Sequence, residues 1–407
     1  MHKDPRQKHF LRIKGKIRGI YVVKILHICR IIFIIYAFSG RERIARGRLS
    51  LCWEAGASFG TYCCAGKCYN KISTSTELKY GEEMRILENR GNWYKGNLHM
   101  HTTVSDGVLD PVEAINIYRE AGYDFIAITD HRKVGHLWQD DSFLILPGVE
   151  WDTGDAVHMP VYHILGIGMD RETVDFYHGA PYEGAPLGNA RAGLWVGART
   201  GRKRYHPHPQ AVIEAIRAAG GIAILAHPAW SVMSPEELYD LHGLAGAEIF
   251  NSVSGVPYNP ARDEASYYWD IWAKNGRLIG AFANDDTHYY SGEQTKAFTM
   301  VNAPALHRDA IMEALRKGNF YASCGPRFHS IDYDPEEGLV TVKCSKDVQT
   351  VIFKSNTPWP DDAFQEINGS GAASYQIMHA DRFVRIELID RQGRKAWCSP
   401  FAVGRSR

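Results

Sequence analysis

From residue 93 onward, short apolar runs alternate with amphipathic segments, the pattern of an α/β domain. The stretches 125–129 (FIAIT), 144–146 (LIL), 161–167 (VYHILGI), 222–226 (IAILA), 247–250 (AEIF) and 278–282 (LIGAF) read as buried strands. Asp110-Pro111 opens a helix running towards Glu120, with Gly122 after it. Ser234-Pro235-Glu236-Glu237 has the form of a capping box with proline at the first helical position. Residues 261–274 read as a helix stopped at Asn275-Gly276, and 307–317 as another closed by Gly318.

Two regions break this rhythm. Residues 170–208 are rich in Gly, Pro, Arg and His and read as a long loop over a site. After residue 327, near period-2 alternation with turn residues such as Asp390 to Gly393 predicts a small antiparallel, sandwich-like β domain over 327–407. Residues 1–83 show no steady period and are expected to be a poorly ordered appendage or a mis-assigned start, with Met84 the natural beginning of the main domain, 84–326. Within them, 20–38 is nearly long enough to span a bilayer. Lys24, His27 and Arg30 interrupt it, and each interior Lys or Arg costs roughly 2.5–3.5 kcal/mol on insertion scales, so membrane contact is not expected.

Composition sharpens the picture in one respect. The chain has 47 Lys/Arg and 46 Asp/Glu, but residues 1–83 hold 16 and 6 of these, leaving 31 and 40 for the rest. An acidic body argues against duplex nucleic acid as a partner and suits recruitment of cations. Cys29, Cys52, Cys63, Cys64 and Cys68 crowd the leader, with only Cys324, Cys344 and Cys398 beyond it. That is no disulfide framework, and a reducing, cytoplasmic setting is expected. Cys63, Cys64 and Cys68 lack a second ligand pair at metal-binding spacing.

The chemistry lies where the titratable residues fall. His99 and His101 are two apart on a strand and so share a face. Asp106 follows in Ser105-Asp106-Gly107. Asp130-His131 comes directly after FIAIT, Glu150 ends ILPGVE, His163 lies in VYHILGIG, His227 follows IAILA, and Asp286 and His288 follow LIGAFA. His158 competes with His163, and Asp285 with Asp286. Each alone has an ordinary structural explanation: Asp106 as a turn residue, Asp130 as a group that orients His131, any one histidine as a satisfied core side chain. Repetition at successive strand ends favours a metal cluster, because strand C-termini converge on one face in parallel β/α architectures. Six imidazoles and three carboxylates exceed the needs of one ion and suit two or three divalent transition ions such as zinc, manganese or iron.

These residues closely resemble the PHP family, the polymerase-and-histidinol-phosphatase metallohydrolases. The resemblance spans about residues 93–329 and rests on four motifs in order: His99-x-His101 with Ser105-Asp106-Gly107, Thr129-Asp130-His131, Ala226-His227-Pro228, and Asp286-x-His288. The opening GNWYKGNLHMHTTVSDG and the C-terminal β extension look most like the CehA/McbA-type branch. The resemblance implies a distorted seven-stranded (β/α) barrel. It further implies one ion on His99, His101, Glu150 and Asp286, a second on Asp106, His131 and His288, and a third on Glu150, His163 and His227. The family's usual Gly-Ser-Asp is here Asn284-Asp285-Asp286.

The resemblance implies hydrolysis of a small phosphate ester, a reaction that water activated by close divalent ions suits. Carboxyl, carbamate or amide substrates are the alternative, as is a short-oligonucleotide nuclease. Asp130, His288 and Asn251 are the candidate catalytic groups. Arg132, Arg191 and Arg262, with Lys203, are candidates for holding substrate. A homo-oligomer is compatible with everything above.

Overall fold

Seven strands build the frame of the site: β1 (Asn92–Asn97), β2 (Phe125–Ile128), β3 (Leu144–Thr153), β4 (Tyr162–Ile167), β5 (Ile222–Leu225), β6 (Leu244–Asn251) and β7 (Gly280–Asn284). They are hydrogen-bonded in chain order. Pairs β1–β2, β2–β3, β5–β6 and β6–β7 are parallel, whereas β4 runs antiparallel to both β3 and β5. The structure, a computed structural model, describes residues 84–87, 91–154, 160–173, 176 and 207–404, with the backbone of four short strands nearer the N-terminus.

The first and last of the seven strands meet just beyond their ends. The His101 N–H donates to the Thr287 carbonyl and the Asp286 N–H to the His99 carbonyl, both at 2.9 Å, around a parallel bridge between Met100 and Thr287. Two buried asparagines extend the link. Asn284 Oδ1 accepts from the Leu98 N–H and Asn97 Oδ1 from the Asp285 N–H, again at 2.9 Å. Side-chain amides thus stand in for the ladder where the backbones are splayed.

The helices follow their local signals with two exceptions. α1 (Pro111–Glu120) is capped by Asp110, whose Oδ1 accepts from the Val112 and Glu113 N–H groups. α2 (Pro209–Ala218) begins directly after the expected long loop, with His208 as its N-cap; its signature is His208-Pro209 followed by Val212, Ile213 and Ile216 at helical spacing, all three buried. α3 is confined to Ser266–Lys274. Residues 261–265, expected to form its first turns, are not helical, because Glu264 bridges Phe250 and the Asp263 carbonyl accepts the Asn251 N–H. Its Trp269 and Trp272 are fully buried core. α4 (Arg308–Lys317) ends at Gly318 in the left-handed region. The capping box at Ser234 starts only a short 3-10 turn, Pro235–Leu238.

Beyond the seven strands the sheet continues through Phe298–Ala303, Phe320–Ser323, Lys395–Trp397, Phe383–Asp390, Val348–Ser355 and Phe364–Glu366. A second sheet of Ala372–Gln376, Leu339–Cys344, Phe328–Asp334 and Met84–Leu87 packs on it over Ile331, Val342, Val351, Phe353, Ile386 and Leu388. Strands from residues 328–402 therefore share hydrogen-bonded sheets with the rest of the main body. Ala322 pairs with Trp397, and Met84–Leu87 lies in the sheet formed with 328–334.

The chain divides into two compact units, Met1–Glu77 and Leu78–Arg407. In the first, Ile20–Val22 pairs with Ile35–Ala37 and Tyr62–Cys64 with Lys67–Tyr69, both antiparallel. The expectation for the remainder of the leader, and most of the 170–208 loop, lies outside the described residues. Among the described residues, no helix is long and apolar enough to cross a membrane.

Candidate metal centre

Each strand of the frame except β6 delivers a candidate ligand to one place. His99 and His101 follow β1, His131 follows β2, Glu150 sits within β3, His227 follows β5, and Asp286 and His288 follow β7. His163 is the second residue of β4 and arrives from the opposite direction because that strand is antiparallel. The backbone bends sharply to achieve this. His227, Asp286 and the adjacent Arg132 have φ of 27°, 53° and 60°, left-handed conformations that cost about 1–3 kcal/mol for residues other than glycine.

Glu150 is the centre of the cluster. Its Oε2 lies 3.3 Å from His99 Nε2, 3.1 Å from His101 Nε2 and 3.4 Å from His131 Nε2. Its Oε1 lies 2.9 Å from His163 Nδ1 and 3.4 Å from His227 Nε2. Asp286 Oδ1 is 3.0 Å from His99 Nε2 and 3.2 Å from His101 Nε2. Asp106 Oδ2 is 3.6 Å from His288 Nε2 and 3.8 Å from His131 Nε2. Three sets of donor atoms fall within 4.8 Å of one another: His99, His101, Glu150 and Asp286; His101, Asp106, His131 and His288; and His131, Glu150 and His163. The imidazoles of His99 and His101 are fully enclosed, while those of His288 and His163 are partly exposed, His288 the more so at 17%.

Charges are balanced inside this enclosure. Burial disfavours ionised Glu150 and Asp286, yet neighbouring histidines hold both carboxyls well below their usual range. Burial likewise opposes charge on His99, but Asp286, Glu248 and Glu150 raise it well above the ordinary imidazole value. His101 is raised in the same way against burial by Asp106, Asp286 and Glu150. His131 goes the other way, pushed down to about 4 by burial despite Glu150 and Asp106.

A cation fits this donor set better than protons do. Asp286 Oδ1 is buried and accepts no well-aligned hydrogen bond, although two imidazole nitrogens lie within 3.2 Å of it. His99 Nε2 and His101 Nε2 face each other at 3.2 Å. Lone pairs converging on a common point are what a divalent ion needs. The opposite ring nitrogens are engaged: His99 Nδ1 with Glu248 at 2.9 Å, His288 Nδ1 with the Asp286 carbonyl at 2.8 Å, His227 Nδ1 with Ser231 Oγ at 3.3 Å.

The carboxylates that look interchangeable in the sequence have distinct roles. Asp285 points away from the cluster, accepting from the N–H groups of Thr295, Lys296 and Ala297 and from the Tyr118 hydroxyl; burial pushes it up to about 7. That leaves Asp286 as the inward one. Asp130 accepts from the Thr102 N–H and hydroxyl and from Ser105 Oγ at 2.7–2.8 Å, so it shapes the loop carrying Asp106. Glu293, fully buried, accepts from the N–H groups of His288, Tyr289, Tyr290 and Ser291 and fixes the loop after β7.

The described side chains expected on the substrate side have partners within the protein. Both ends of the Asn251 amide are engaged, Nδ2 with Glu248 and Asp286 and Oδ1 with Ser254. Arg132 forks onto Asp152 through Nε at 2.8 Å and Nη2 at 2.5 Å. Arg262 is exposed and reaches the Trp230 carbonyl at 3.4 Å. Arg191, Lys203 and His158 lie outside the described residues. Aromatic side chains line the described approach: Trp230 against His227 and His163, with ring centroids 4.7 and 5.7 Å away, and Tyr289 stacked on Tyr258 at 5.3 Å. Glu248, a buried acid in an otherwise small and apolar strand, was not singled out from the sequence; its position inside AGAEIF was the available signal.

No family model matches the chain, and no curated protein matches it. Among solved structures, a two-domain protein of Bacteroides vulgatus ATCC 8482, described as containing a PHP-like metal-dependent phosphoesterase, is similar at 14% identity and a TM-score of 0.41, over 79% of this chain and 99% of that one. An amidohydrolase of Chromobacterium violaceum, with bound sulfate and no metal, is similar at 18% identity and a TM-score of 0.37, over 49% of this chain and 89% of that one. A protein of Bifidobacterium adolescentis ATCC 15703, described as a metal-dependent phosphoesterase, is similar at 19% identity and a TM-score of 0.33, over 47% of this chain and 87% of that one.

Proposed function

We propose that this chain is a metal-dependent hydrolase of the PHP type that cleaves a small phosphate ester, on a distorted seven-stranded barrel whose first and last strands are joined through Asn97 and Asn284. The observation that carries the reading is the position of Glu150, with imidazole nitrogens of five histidines within 3.4 Å of its two oxygens. A carboxylate so placed can serve neighbouring ions at once, which supports two or three divalent transition ions.

When bound, such ions supply Lewis-acid polarisation of the scissile group and a reactive water near neutral pH. The chain's own residues do the rest. His99, His101, Glu150 and Asp286 form the enclosed end of the ligand set. Asp106, His131 and His288 form the open end, where substrate can arrive. The Nδ1–H of His288 is held on the Asp286 carbonyl, which turns Nε2 towards Asp106 and leaves His288 as a partly exposed imidazole through which the cluster can meet a substrate. Asp130 holds the Thr102–Ser105 loop in place, and Asn251 holds Asp286.

A second reading, hydrolysis of a carboxyl, carbamate or amide ester, draws support from Trp230 against the cluster and from the commitment of Arg132 to Asp152. The test is metal analysis combined with turnover of p-nitrophenyl phosphate, its bis-phosphodiester and p-nitrophenyl acetate. Chelator-sensitive phosphate release from the monoester is expected. Turnover of the acetate alone would favour the second reading, and a protein that takes up no transition ion would refute both.

A further inference from the structure

Glu248 sits on β6, 1% exposed, and lies outside the three sets of donor atoms. Four donors converge on its carboxylate. Oε1 faces His99 Nδ1 and accepts from Asn284 Nδ2, both at 2.9 Å; Oε2 accepts from the His227 N–H at 2.9 Å and from Asn251 Nδ2 at 2.7 Å.

We propose that Glu248 is the positioning residue of the metal centre. It keeps the proton of His99 on Nδ1, leaving Nε2 for the ion, and it ties together the strand ends that carry His99, His227 and Asp286. The inference rests on the metal-centre reading above. The link to Asp286 runs through Asn251, whose Nδ2 also reaches Asp286 Oδ2 at 3.2 Å. The link back to β1 runs through Asn284, whose Oδ1 holds the Leu98 N–H.

The chemistry requires a carboxylate. An ionised Glu offers acceptors on both oxygens, which suits four donors. The isosteric glutamine, turned either way, sets its own N–H groups against two of the four. A side chain present only to fill space would show no such discrimination.

The full chain, stripped with a chelator, is titrated with Co2+ alone, following absorbance and bound ions per chain. Glu248→Gln and Glu248→Asp are compared with wild type, with thermal unfolding of each metal-free protein. Glu248→Gln is expected to weaken Co2+ binding by roughly 10–100-fold, the usual effect of losing a group that supports a ligand. Glu248→Asp keeps the charge but is too short to span all four donors, so a smaller loss is expected. Should Glu248→Gln fail to fold, Glu248→Asp decides. Wild-type Co2+ affinity in either folded variant, even with a lowered melting temperature, would overturn the proposal. A wild type that takes up no Co2+ would overturn the metal centre itself.

Discussion

The Nε2 atoms of His99 and His101 lie 3.2 Å apart, and each is within 3.3 Å of both Glu150 Oε2 and Asp286 Oδ1. Nitrogen lone pairs so close repel unless a proton or a cation stands between them. The metal-free protein must use protons, and this has a thermodynamic cost that a bound ion removes. Zinc at 100 times its dissociation constant is expected to stabilise the fold by about 2.7 kcal/mol. Thermal melts with zinc and with chelator measure it; coincident melts would contradict the prediction.

Replacing Glu150 should be more damaging than replacing any supporting residue, because its two oxygens face different histidines. Glu150→Gln is expected to lose at least one ion per chain. Turnover should fall by more than the roughly 10–100-fold typical of outer-layer changes. Ion content by mass spectrometry alongside kcat provides the check.

Acid and alkali should destabilise the metal-free protein for different reasons. Glu150 and Asp286 are held below their usual range, so the unfolded chain takes up their protons first and stability falls as pH drops through about 4. His131, lowered to about 4, adds to this loss below about 6.5. His99, His101, His163 and His288 are raised. Their contribution is full below about 6.5 and disappears as pH climbs through their folded values. Melting temperature against pH should therefore fall on both sides, and zinc should flatten the alkaline side. An alkaline limb unchanged by zinc would count against this account.

Arg385 is fully buried between Asp270 of α3 and Glu387, at 2.6 Å from each. Arg385→Met strands two carboxylates and is expected to cost about 3–5 kcal/mol, read by urea denaturation. A loss below 1 kcal/mol would show that solvent reaches the pair.

Much of the cluster was legible because most of its ligands follow strand ends, where a hydrophobic run stops abruptly at His or Asp; Glu150, expected to end its strand, lies inside β3, which runs on to Thr153. The antiparallel course of β4 was not legible, since an apolar run carries no direction; His163 was found by residue type alone. Asp285 and Asp286 could not be separated by spacing, because the choice depends on the backbone N–H groups of 295–297 that claim Asp285. Glu248 escaped notice for a related reason. Its partners lie 149, 21, 3 and 36 residues away, and only the folded chain brings them together. The 261–274 segment looked helical locally, but pairing of Glu264 with Phe250 overrides propensity in its first turns.

The asparagine link between the first and last strands bears on how the molecule comes into being. Asn97 must wait for Asp285, and Met84–Leu87 must wait for residues 331–333 before it has a neighbour. Contacts of such sequence separation are slow to form, because a long stretch of chain loses its freedom before any bond rewards it. The early histidines therefore spend much of synthesis and refolding without the partners that orient them. A ribosome-bound fragment ending before residue 284 would carry five of the six imidazoles and no finished pocket, leaving exposed strand edges for chaperones to shield.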